Sequence, residues 1–177
     1  MDVSTGLLTV EEFLQFPEPQ EGHLELHHGE VVLVPPPKRG HQRIQKRVLQ
    51  LLLQVANENY TVEMEMAFRP SPEHEVWQAD VGLVASQREA ITGNDEYLAG
   101  APELVVEVLS PSNTVDEMNA KMNVCMGNGC LSFWVIDPKF RQVLVTEGDL
   151  TRHYRGSASI SCSLLDGDVS VADMWPA

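Results

Sequence analysis

The sequence predicts an α/β fold in which helices flank a mixed β-sheet. Three patterns support this class: alternating apolar and polar residues, apolar residues at helical spacing, and a nearly continuous apolar run at residues 104–109. A continuous apolar run is typical of a central strand that is buried on both faces. The 177 residues are 43% hydrophobic and contain no internal repeat or long linker, so residues 1–177 are expected to form one domain.

Near the N-terminus, the sequence predicts a short helix followed by a β-hairpin. Thr9 and Glu12 have the spacing of a capping box, in which a hydroxyl caps the helix start and a glutamate reaches back from the first turn. This motif indicates a helix over about residues 10–16, which prolines then end. Residues 24–28 and 30–34 have the composition of two short strands joined by a tight turn at a glycine.

A longer amphipathic helix is predicted from His41 to about Ala56. Its polar side carries Arg43 and Arg47, and its apolar side is formed by Ile44, Val48, Leu51, Leu52 and Val55. We expect the apolar side to pack on the sheet and the polar side to face solvent.

The remaining elements follow from the same two periodicities. Residues 60–68 alternate apolar and polar side chains, which predicts a strand with one buried face. Helical spacing predicts a further helix over about residues 116–126, which two glycines end. The other predicted strands are residues 76–84, 104–109, 133–136, 142–146 and 151–154.

Charge is distributed unevenly along the chain. The formal net charge is −14, which argues against a protein that coats itself with nucleic acid through its overall charge. Between Glu30 and Glu58, however, there is no acidic residue, and five of the twelve Lys and Arg residues lie there: Lys38, Arg39, Arg43, Lys46 and Arg47. These side chains either form a solvated basic face or contact phosphate.

The cysteines and the hydropathy of the chain exclude several other classes. Cys125, Cys130 and Cys162 form neither an even disulfide set nor a CxxC pair, so we expect buried free thiols rather than a structural zinc site. No apolar run approaches the ~18 residues needed to cross a bilayer, and the N-terminal residues lack the pattern of a signal peptide. We therefore expect a cytoplasmic protein without a membrane partner.

Two acidic residues interrupt apolar strands in the middle of the chain. Asp80 lies in one predicted strand, and Glu107 lies between Val106 and Val108 in another. A carboxylate in such a setting carries a large desolvation cost unless a partner neutralises it. A shared divalent cation would do so, and Mg²⁺ prefers oxygen ligands and keeps several waters. One metal-bound water could attack phosphorus, with Lys121 lowering its pKa or stabilising the developing charge.

Asp80, Glu107 and Lys121 are part of an ordered series of short motifs. The motifs are Leu24-Glu25-Leu26-His27-His28-Gly29-Glu30, Pro35-Pro36-Pro37, His41-Gln42, Gln78-Ala79-Asp80-Val81, Glu107-Val108-Leu109-Ser110-Pro111-Ser112, Lys121, and Phe133-Trp134-Val135-Ile136-Asp137-Pro138. In order and spacing they resemble the PD-(D/E)XK superfamily of restriction-endonuclease-like proteins and, within it, the Uma family. The resemblance covers nearly the whole chain.

The resemblance implies a restriction-endonuclease-like fold and a set of site residues. Asp80 and Glu107 would ligate Mg²⁺, or Mn²⁺ as an alternative, with the carbonyl group of Val108 as a further metal ligand. Glu25 and His41 would line the same cleft.

The chain also departs from the pattern of the superfamily. The usual lysine lies two residues after the glutamate, where this chain has Leu109, so its role passes to Lys121 on the following helix. Ala79 replaces the expected proline before the aspartate, and Cys125 replaces the tyrosine that usually follows the lysine. These departures concern the surroundings of the site and leave the two carboxylates in place.

Two hypotheses follow. The primary one is a Mg²⁺-dependent endonuclease that cleaves DNA, with the catalytic residues Asp80, Glu107, Lys121 and Glu25. The residues expected to contact the nucleic acid are His41, Lys38, Arg39, Arg43 and Arg47. The alternative is a nuclease-fold module that has lost catalysis and binds nucleic acid or protein. A homodimer is expected under both.

Each site residue also has a structural interpretation. Asp80 could cap a turn at a strand end, Glu25 could form a structural ion pair, and His41 could be a hydrogen-bonding residue at a helix start. Lys121 could be a solvated side chain on an exposed helix. Glu107 is harder to explain in this way, because a fully buried glutamate without a partner is rare.

Overall fold

The computed structural model describes residues 6–71, 73–111 and 113–176. Ser112, at the end of the Glu107 motif, lies outside the described residues, as do both ends of the expected domain. The described elements, in chain order, are α1 (Val10–Phe13), β1 (His23–His27), β2 (Glu30–Val34), α2 (Arg39–Val55), β3 (Tyr60–Arg69), β4 (Trp77–Ala85), α3 (Ser86–Ile91), β5 (Leu98–Ala99), β6 (Leu104–Val108), α4 (Val115–Gly127), β7 (Ser132–Asp137), β8 (Gln142–Glu147), β9 (Leu150–Arg155), β10 (Ser159–Ile160), β11 (Val169–Ser170) and a 3-10 helix (Ala172–Met174).

A seven-stranded mixed sheet in the order β5-β3-β4-β6-β7-β8-β9 forms the centre of the fold. β6 pairs with β7, and β3 with β5, in parallel, whereas the other neighbours pair antiparallel. Parallel neighbours need a crossover connection, and α4 lies in the one between β6 and β7. Two further two-stranded sheets pair β1 with β2 and β10 with β11. The predicted mixed sheet flanked by helices is confirmed.

Two hydrophobic cores cover the two faces of this sheet. On one face, α2 packs against residues that include Leu83, Val106 and Ile136. On the other face, α4 packs against residues that include Val105 and Phe133. Because consecutive residues of β6 belong to different cores, all five residues of this strand are buried. The prediction of a central strand buried on both faces is confirmed.

A third, smaller core attaches the N-terminal hairpin to the sheet. Val10 and Phe13 of α1 pack with Leu26 of β1 and with Val76, which precedes β4. Leu26 and Val76 also exchange two backbone hydrogen bonds, with N–O distances of 2.8 and 2.9 Å. This pairing fixes β1 beside the start of β4 and thereby brings Glu25 close to β4.

Several element boundaries differ from the sequence predictions. α1 contains both bonds of the predicted capping box but ends at Phe13, because the following Leu14 and Phe16 are exposed and have no core to pack against. α2 begins at Arg39, two residues before the predicted start. The sequence patterns do not predict α3, β5, β10 and β11, which are too short to show a clear periodicity.

Two further predictions concern the cysteines and membrane spans. Cys125, Cys130 and Cys162 are buried and free, as predicted. Burial raises the pKa of each of the three thiols, which favours the neutral form. In the part of the chain that the structure describes, no helix is long and apolar enough to cross a membrane.

Candidate active site

Asp80 and Glu107 lie on neighbouring strands, β4 and β6, at the point where these strands part. The β4–β6 ladder ends with the pair Val81 and Val106, and the next position in the same antiparallel register would place Asp80 opposite Glu107. Like charges at directly opposite positions destabilise a sheet. The strands therefore separate at the two acidic residues that the sequence predicts as metal ligands.

An irregularity in β4 turns Asp80 towards β6. Val81 belongs to the core beside α2, whereas Ala79 belongs to the core beside α4, although side chains two residues apart in a regular strand share a face. At the register position of Asp80, the neighbouring strand β3 has Glu65, whose φ is 57°. In this arrangement, Asp80 Oδ2 accepts a hydrogen bond from the Val108 amide at 2.6 Å. The side chain thus replaces a backbone acceptor between the two strands.

Helix α2 supplies the other partners of Asp80. His41 Nε2 lies 3.0 Å from Asp80 Oδ1, and the Gln45 side-chain amide donates to the same oxygen at 2.7 Å. His41 and Gln45 are four residues apart and therefore lie on the same side of the helix. Asp80 thus has a protein partner on each oxygen, and His41 lies against the carboxylate from the first turn of α2.

Glu107 is buried in a less complete environment. Its Oε1 lies 2.9 Å from the Lys121 ammonium, which is an ion pair, but this oxygen receives no well-aligned hydrogen bond. Burial raises the pKa of Glu107, the Lys121 charge lowers it and the neighbouring Asp80 carboxylate raises it, with a net value of about 8. A positive charge in addition to Lys121 would therefore favour the ionised form of Glu107.

Lys121 is buried in α4 and points at the strands rather than at solvent. Its Nζ donates to the Gln78 carbonyl of β4 at 2.6 Å and lies 5.6 Å from the centre of the Trp77 ring. Burial disfavours the ammonium, but the Glu107 and Glu25 carboxylates outweigh burial and raise the pKa of Lys121. The alternative of a solvated lysine on an exposed helix is therefore wrong, because only 8% of Lys121 is exposed.

Glu25 of β1 completes the group of acidic residues. His23 Nε2 lies 3.1 Å from one carboxylate oxygen, and His27 Nε2 lies 2.5 Å from the other. The Gln78 amide also donates to Glu25, at 3.2 Å. Burial alone would raise the pKa of Glu25, but Lys121 and the hydrogen bonds from the two histidines lower it well below its usual range. Glu25 is therefore an ionised partner of Lys121 as well as a cleft residue.

The sequence reasoning missed the residues that support Glu25 and Lys121. His23, Glu25 and His27 alternate along β1, which places all three on one face of the strand, and this spacing is visible in the sequence. The His27 ring stacks on Trp77, with ring centres 3.9 Å apart and planes 9° apart. Trp77 in turn donates to Glu75 at 2.5 Å. No sequence pattern indicates that Trp77 lies between His27 and Lys121.

The predicted nucleic-acid contacts lie at the start of α2. Lys38, Arg39 and Arg43 are exposed, and none of them forms an ion pair with a described residue. Arg47 differs from them, because its Nε donates to the Asp173 carbonyl at 2.7 Å. The structure therefore leaves three basic side chains available to a ligand and engages the fourth with the C-terminal segment.

Comparisons with known proteins place the chain in a family. A family model described as "Putative restriction endonuclease" matches residues 10–170 of the chain. The chain belongs to the Uma2 family. The crystal structure of a "putative nuclease belonging to DUF820" from Anabaena variabilis is similar to it, with a TM-score of 0.81 and 21% identity over 95% of this chain and 97% of that chain. A search of curated proteins gave no significant match.

The Uma2 family assignment confirms the resemblance and the restriction-endonuclease-like fold predicted from the sequence. At 21% identity, the likeness to the Anabaena protein concerns the fold alone. In this Uma2 family member, the fold brings together Glu25, Asp80, Glu107, Lys121 and His41, which are far apart in the sequence. The structure shows that these five side chains lie close together, and their chemical types indicate what each could do.

The donor set of this Uma2 site suits a hard divalent cation. Among the described residues, no group of three or more His, Cys, Asp or Glu side chains is arranged as a metal site. Two carboxylates and a backbone carbonyl, from Asp80, Glu107 and Val108, are nevertheless the oxygen ligands that Mg²⁺ accepts together with waters. Glu107 Oε1 is buried and, apart from the Lys121 ion pair, has no aligned hydrogen bond, so it could accept a cation. The residues present therefore fit Mg²⁺ better than zinc.

Proposed function

We propose that this protein is a Mg²⁺-dependent endonuclease that hydrolyses phosphodiester bonds in DNA. The observation that carries the proposal is the charge of the buried cluster. Apart from the histidines, the cluster contains the carboxylates of Glu25, Asp80 and Glu107 and the single ammonium of Lys121. With all three carboxylates ionised, these groups would carry two uncompensated negative charges, which one divalent cation would balance; without a cation, the raised pKa of Glu107 favours its neutral form.

The two predicted side-chain ligands differ in how far the protein already satisfies them. Asp80 is held in place by His41, Gln45 and the Val108 amide, so its position is fixed before any metal binds. Glu107 has only the Lys121 ion pair on its buried Oε1, without an aligned hydrogen bond, and its pKa is raised. Asp80 would therefore be a rigid ligand, and Glu107 would be the ligand whose ionised form a cation stabilises most. Mn²⁺, which accepts similar ligands, is the expected substitute.

Lys121 and Glu25 are suited to support the reaction without binding the metal. When bound, Mg²⁺ supplies Lewis-acid activation of a water molecule and neutralises charge at phosphorus. The Gln78 carbonyl and the Glu107 carboxylate orient the Lys121 ammonium, which can donate to the oxygen on which negative charge develops. Glu25 keeps this lysine protonated, since its ionised carboxylate raises the pKa of Lys121.

The basic start of α2 is the expected contact surface for the phosphate backbone. The chain has a net charge of −14, so a duplex must approach through a local concentration of positive charge. Lys38, Arg39 and Arg43 are exposed there, and His41 of the same turn touches Asp80. A strand held by these side chains would run close to the carboxylate cluster.

The experiment is a titration of Mg²⁺ and Mn²⁺ by calorimetry, followed by plasmid cleavage with the same samples. We expect the wild type to bind the metal and to nick DNA, and Asp80→Ala and Glu107→Ala to lose both activities while remaining folded. Glu63→Ala is the matched control, because Glu63 is an exposed strand carboxylate outside the cluster. Mg²⁺-dependent cleavage by Glu107→Ala would overturn the proposal. Metal or DNA binding without cleavage in the wild type would instead indicate a module that has lost catalysis.

A further inference from the structure

A cavity of about 230 Å³ opens beside the carboxylate cluster. Its walls come from α1 and the segment after it, from β1, from β4 and from the loop before β5. Glu25 and Gln78 belong both to this cavity and to the cluster: Gln78 donates to Glu25 through its backbone amide and accepts from Lys121 through its carbonyl. A molecule in the cavity would therefore lie directly beside the residues proposed to act on phosphorus.

Aromatic side chains form much of the cavity. Phe13 and Phe16 stack on each other with ring centres 6.5 Å apart, and the half-buried Tyr97 contributes a further ring, whereas Trp77 in the wall is buried against His27. Phe16 at the rim is 43% exposed and the adjacent Leu14 is 55% exposed, although both are large apolar residues. Exposed apolar groups around a concave site are typical of a surface that a planar apolar ligand covers.

The charge of the lining limits the identity of this ligand. The lining contains no Lys or Arg and contains two acidic residues, Glu18 and Glu25, so it disfavours a phosphate group. Two polar side chains in the wall, the Gln78 amide and the Tyr97 hydroxyl, have no hydrogen-bond partner among the described residues. The cavity thus combines stacking surfaces with polar groups and an acceptor at its rim, and its charge disfavours an anionic group inside it.

We propose that this cavity binds one unpaired base of the nucleic-acid substrate and prefers a base with an exocyclic amine. The proposal rests on the nuclease function proposed above. A base can stack on Tyr97 and the phenylalanine pair, while the Gln78 amide bonds its edge. The Glu18 carboxylate can accept from the exocyclic amine of cytosine, adenine or guanine, and thymine has no such amine. The phosphate of the same nucleotide would then point towards Lys121, away from the acidic rim.

The test measures binding of end-labelled, short single-stranded oligonucleotides by fluorescence anisotropy in EDTA, so that neither metal binding nor cleavage enters the result. We expect the wild type to bind oligodeoxycytidylate roughly tenfold more tightly than oligothymidylate. Tyr97→Ala should weaken binding of both roughly tenfold through lost stacking. Glu18→Leu removes the acceptor for the exocyclic amine, so the affinities for the two oligonucleotides should become equal.

Tyr154→Ala is the matched control, because Tyr154 is a half-buried tyrosine of β9 outside the cavity. Equal affinity of the wild type for the two oligonucleotides, or equal losses in Tyr97→Ala and Tyr154→Ala, would overturn the proposal. A comparison that needs no variant is oligodeoxycytidylate in which some bases are replaced by abasic sites: weaker binding supports the cavity, and unchanged binding overturns it.

The failure of this proposal can be distinguished from failure of the proposed function. Plasmid cleavage without discrimination between the oligonucleotides would overturn only the base cavity. Discrimination between oligonucleotides without Mg²⁺-dependent cleavage would support the cavity and overturn the nuclease assignment, leaving a nucleic-acid-binding module.

Discussion

Glu25 and Glu107 are buried carboxylates beside the same lysine, yet their pKa values shift in opposite directions. For Glu25, the effect of burial is outweighed by Lys121 and by hydrogen bonds from His23 and His27, and the pKa is lowered. For Glu107, burial dominates and raises the pKa to about 8. The difference lies in the donors, because Glu25 has partners on both oxygens whereas Glu107 Oε1 has no aligned hydrogen bond.

This comparison divides the cluster into two parts with different tasks. The β1 side holds a permanent negative charge that the protein itself stabilises, so Glu25 can fix Lys121 in its charged form. The β6 side holds a carboxylate whose raised pKa favours the neutral form near pH 7, so a further cation would favour its ionised form. Pairs of acidic groups whose environments separate their pKa values commonly have distinct roles in catalysis. We therefore assign metal binding to the β6 side and positioning of the lysine to the β1 side.

The largest expected effect is on Mg²⁺ binding, which substitution of Glu107 should abolish and substitution of Glu25 should not. Glu107→Gln keeps the shape of the side chain but removes a ligand charge, so calorimetry should show no Mg²⁺ binding and plasmid cleavage should fall by about a thousandfold. Glu25→Gln should retain Mg²⁺ binding, because Glu25 is not among the proposed ligands, while its cleavage rate falls through the altered environment of Lys121. Loss of Mg²⁺ binding in both variants would contradict this division of the cluster.

Stability in EDTA provides the second comparison. Glu25→Gln removes a buried carboxylate that contacts His23 and His27 and helps to keep Lys121 charged, and we expect the free energy of unfolding to fall by roughly 3 kcal/mol. Glu107→Gln removes a carboxylate that burial disfavours, so the same free energy should be unchanged or higher near pH 8. Urea unfolding of the two variants and the wild type measures both effects. Equal destabilisation by the two substitutions would show that their environments do not differ as described.

The pH dependence of stability gives a third effect, which is smaller at each pH step. The folded state holds the Glu107 proton up to about pH 8, whereas an ordinary glutamate loses it near pH 4.5. Between these values the folded state binds more protons than the unfolded state, so the contribution of Glu107 to stability falls as pH rises. The lowered pKa of Glu25 has the opposite sign, but its effect appears only below about pH 4.5.

The measurement is urea unfolding in EDTA at several pH values between 5 and 8. We subtract the free energy of unfolding of Glu107→Gln from that of the wild type. As pH rises, this difference should fall by up to roughly 1 kcal/mol per pH unit. Saturating Mg²⁺ should abolish this dependence in the wild type, because the cation favours the ionised carboxylate. A difference that stays constant with pH would show that Glu107 titrates as an ordinary surface glutamate.

The sequence predicts most of the fold and much of the site, because both depend on strong local patterns. The continuous apolar run around Glu107 indicates a buried central strand, and an acidic residue within it indicates a partner of opposite charge. Asp80 and Lys121 could be placed beside Glu107 through the resemblance to the Uma family. The alternation of His23, Glu25 and His27 along β1 is also visible in the sequence and places these three residues on one face of the strand.

Other features depend on long-range packing that no local pattern encodes. Asp80 reaches the Val108 amide only because β4 changes face there, opposite a residue of β3 with positive φ. Lys121 lies in a helix whose polar and apolar residues are weakly separated, so its burial cannot be read from periodicity. The contact between Arg47 and Asp173 joins residues that are distant in sequence, and it changes Arg47 from a presumed ligand contact into a residue that is partly structural.

The smallest expected effect is on DNA binding and comes from the basic side chains at the start of α2. Substituting one of them should weaken DNA binding and leave the carboxylate cluster unchanged. Arg43→Glu should weaken binding of duplex DNA roughly tenfold and reduce the dependence of affinity on salt, because Arg43 is exposed and has no ion-pair partner among the described residues. Its calorimetric affinity for Mg²⁺ should remain that of the wild type. Lys139→Glu is the control of equal charge change, since Lys139 is exposed in the turn between β7 and β8. Equal losses of DNA affinity in the two variants would show that net charge, rather than the start of α2, determines binding.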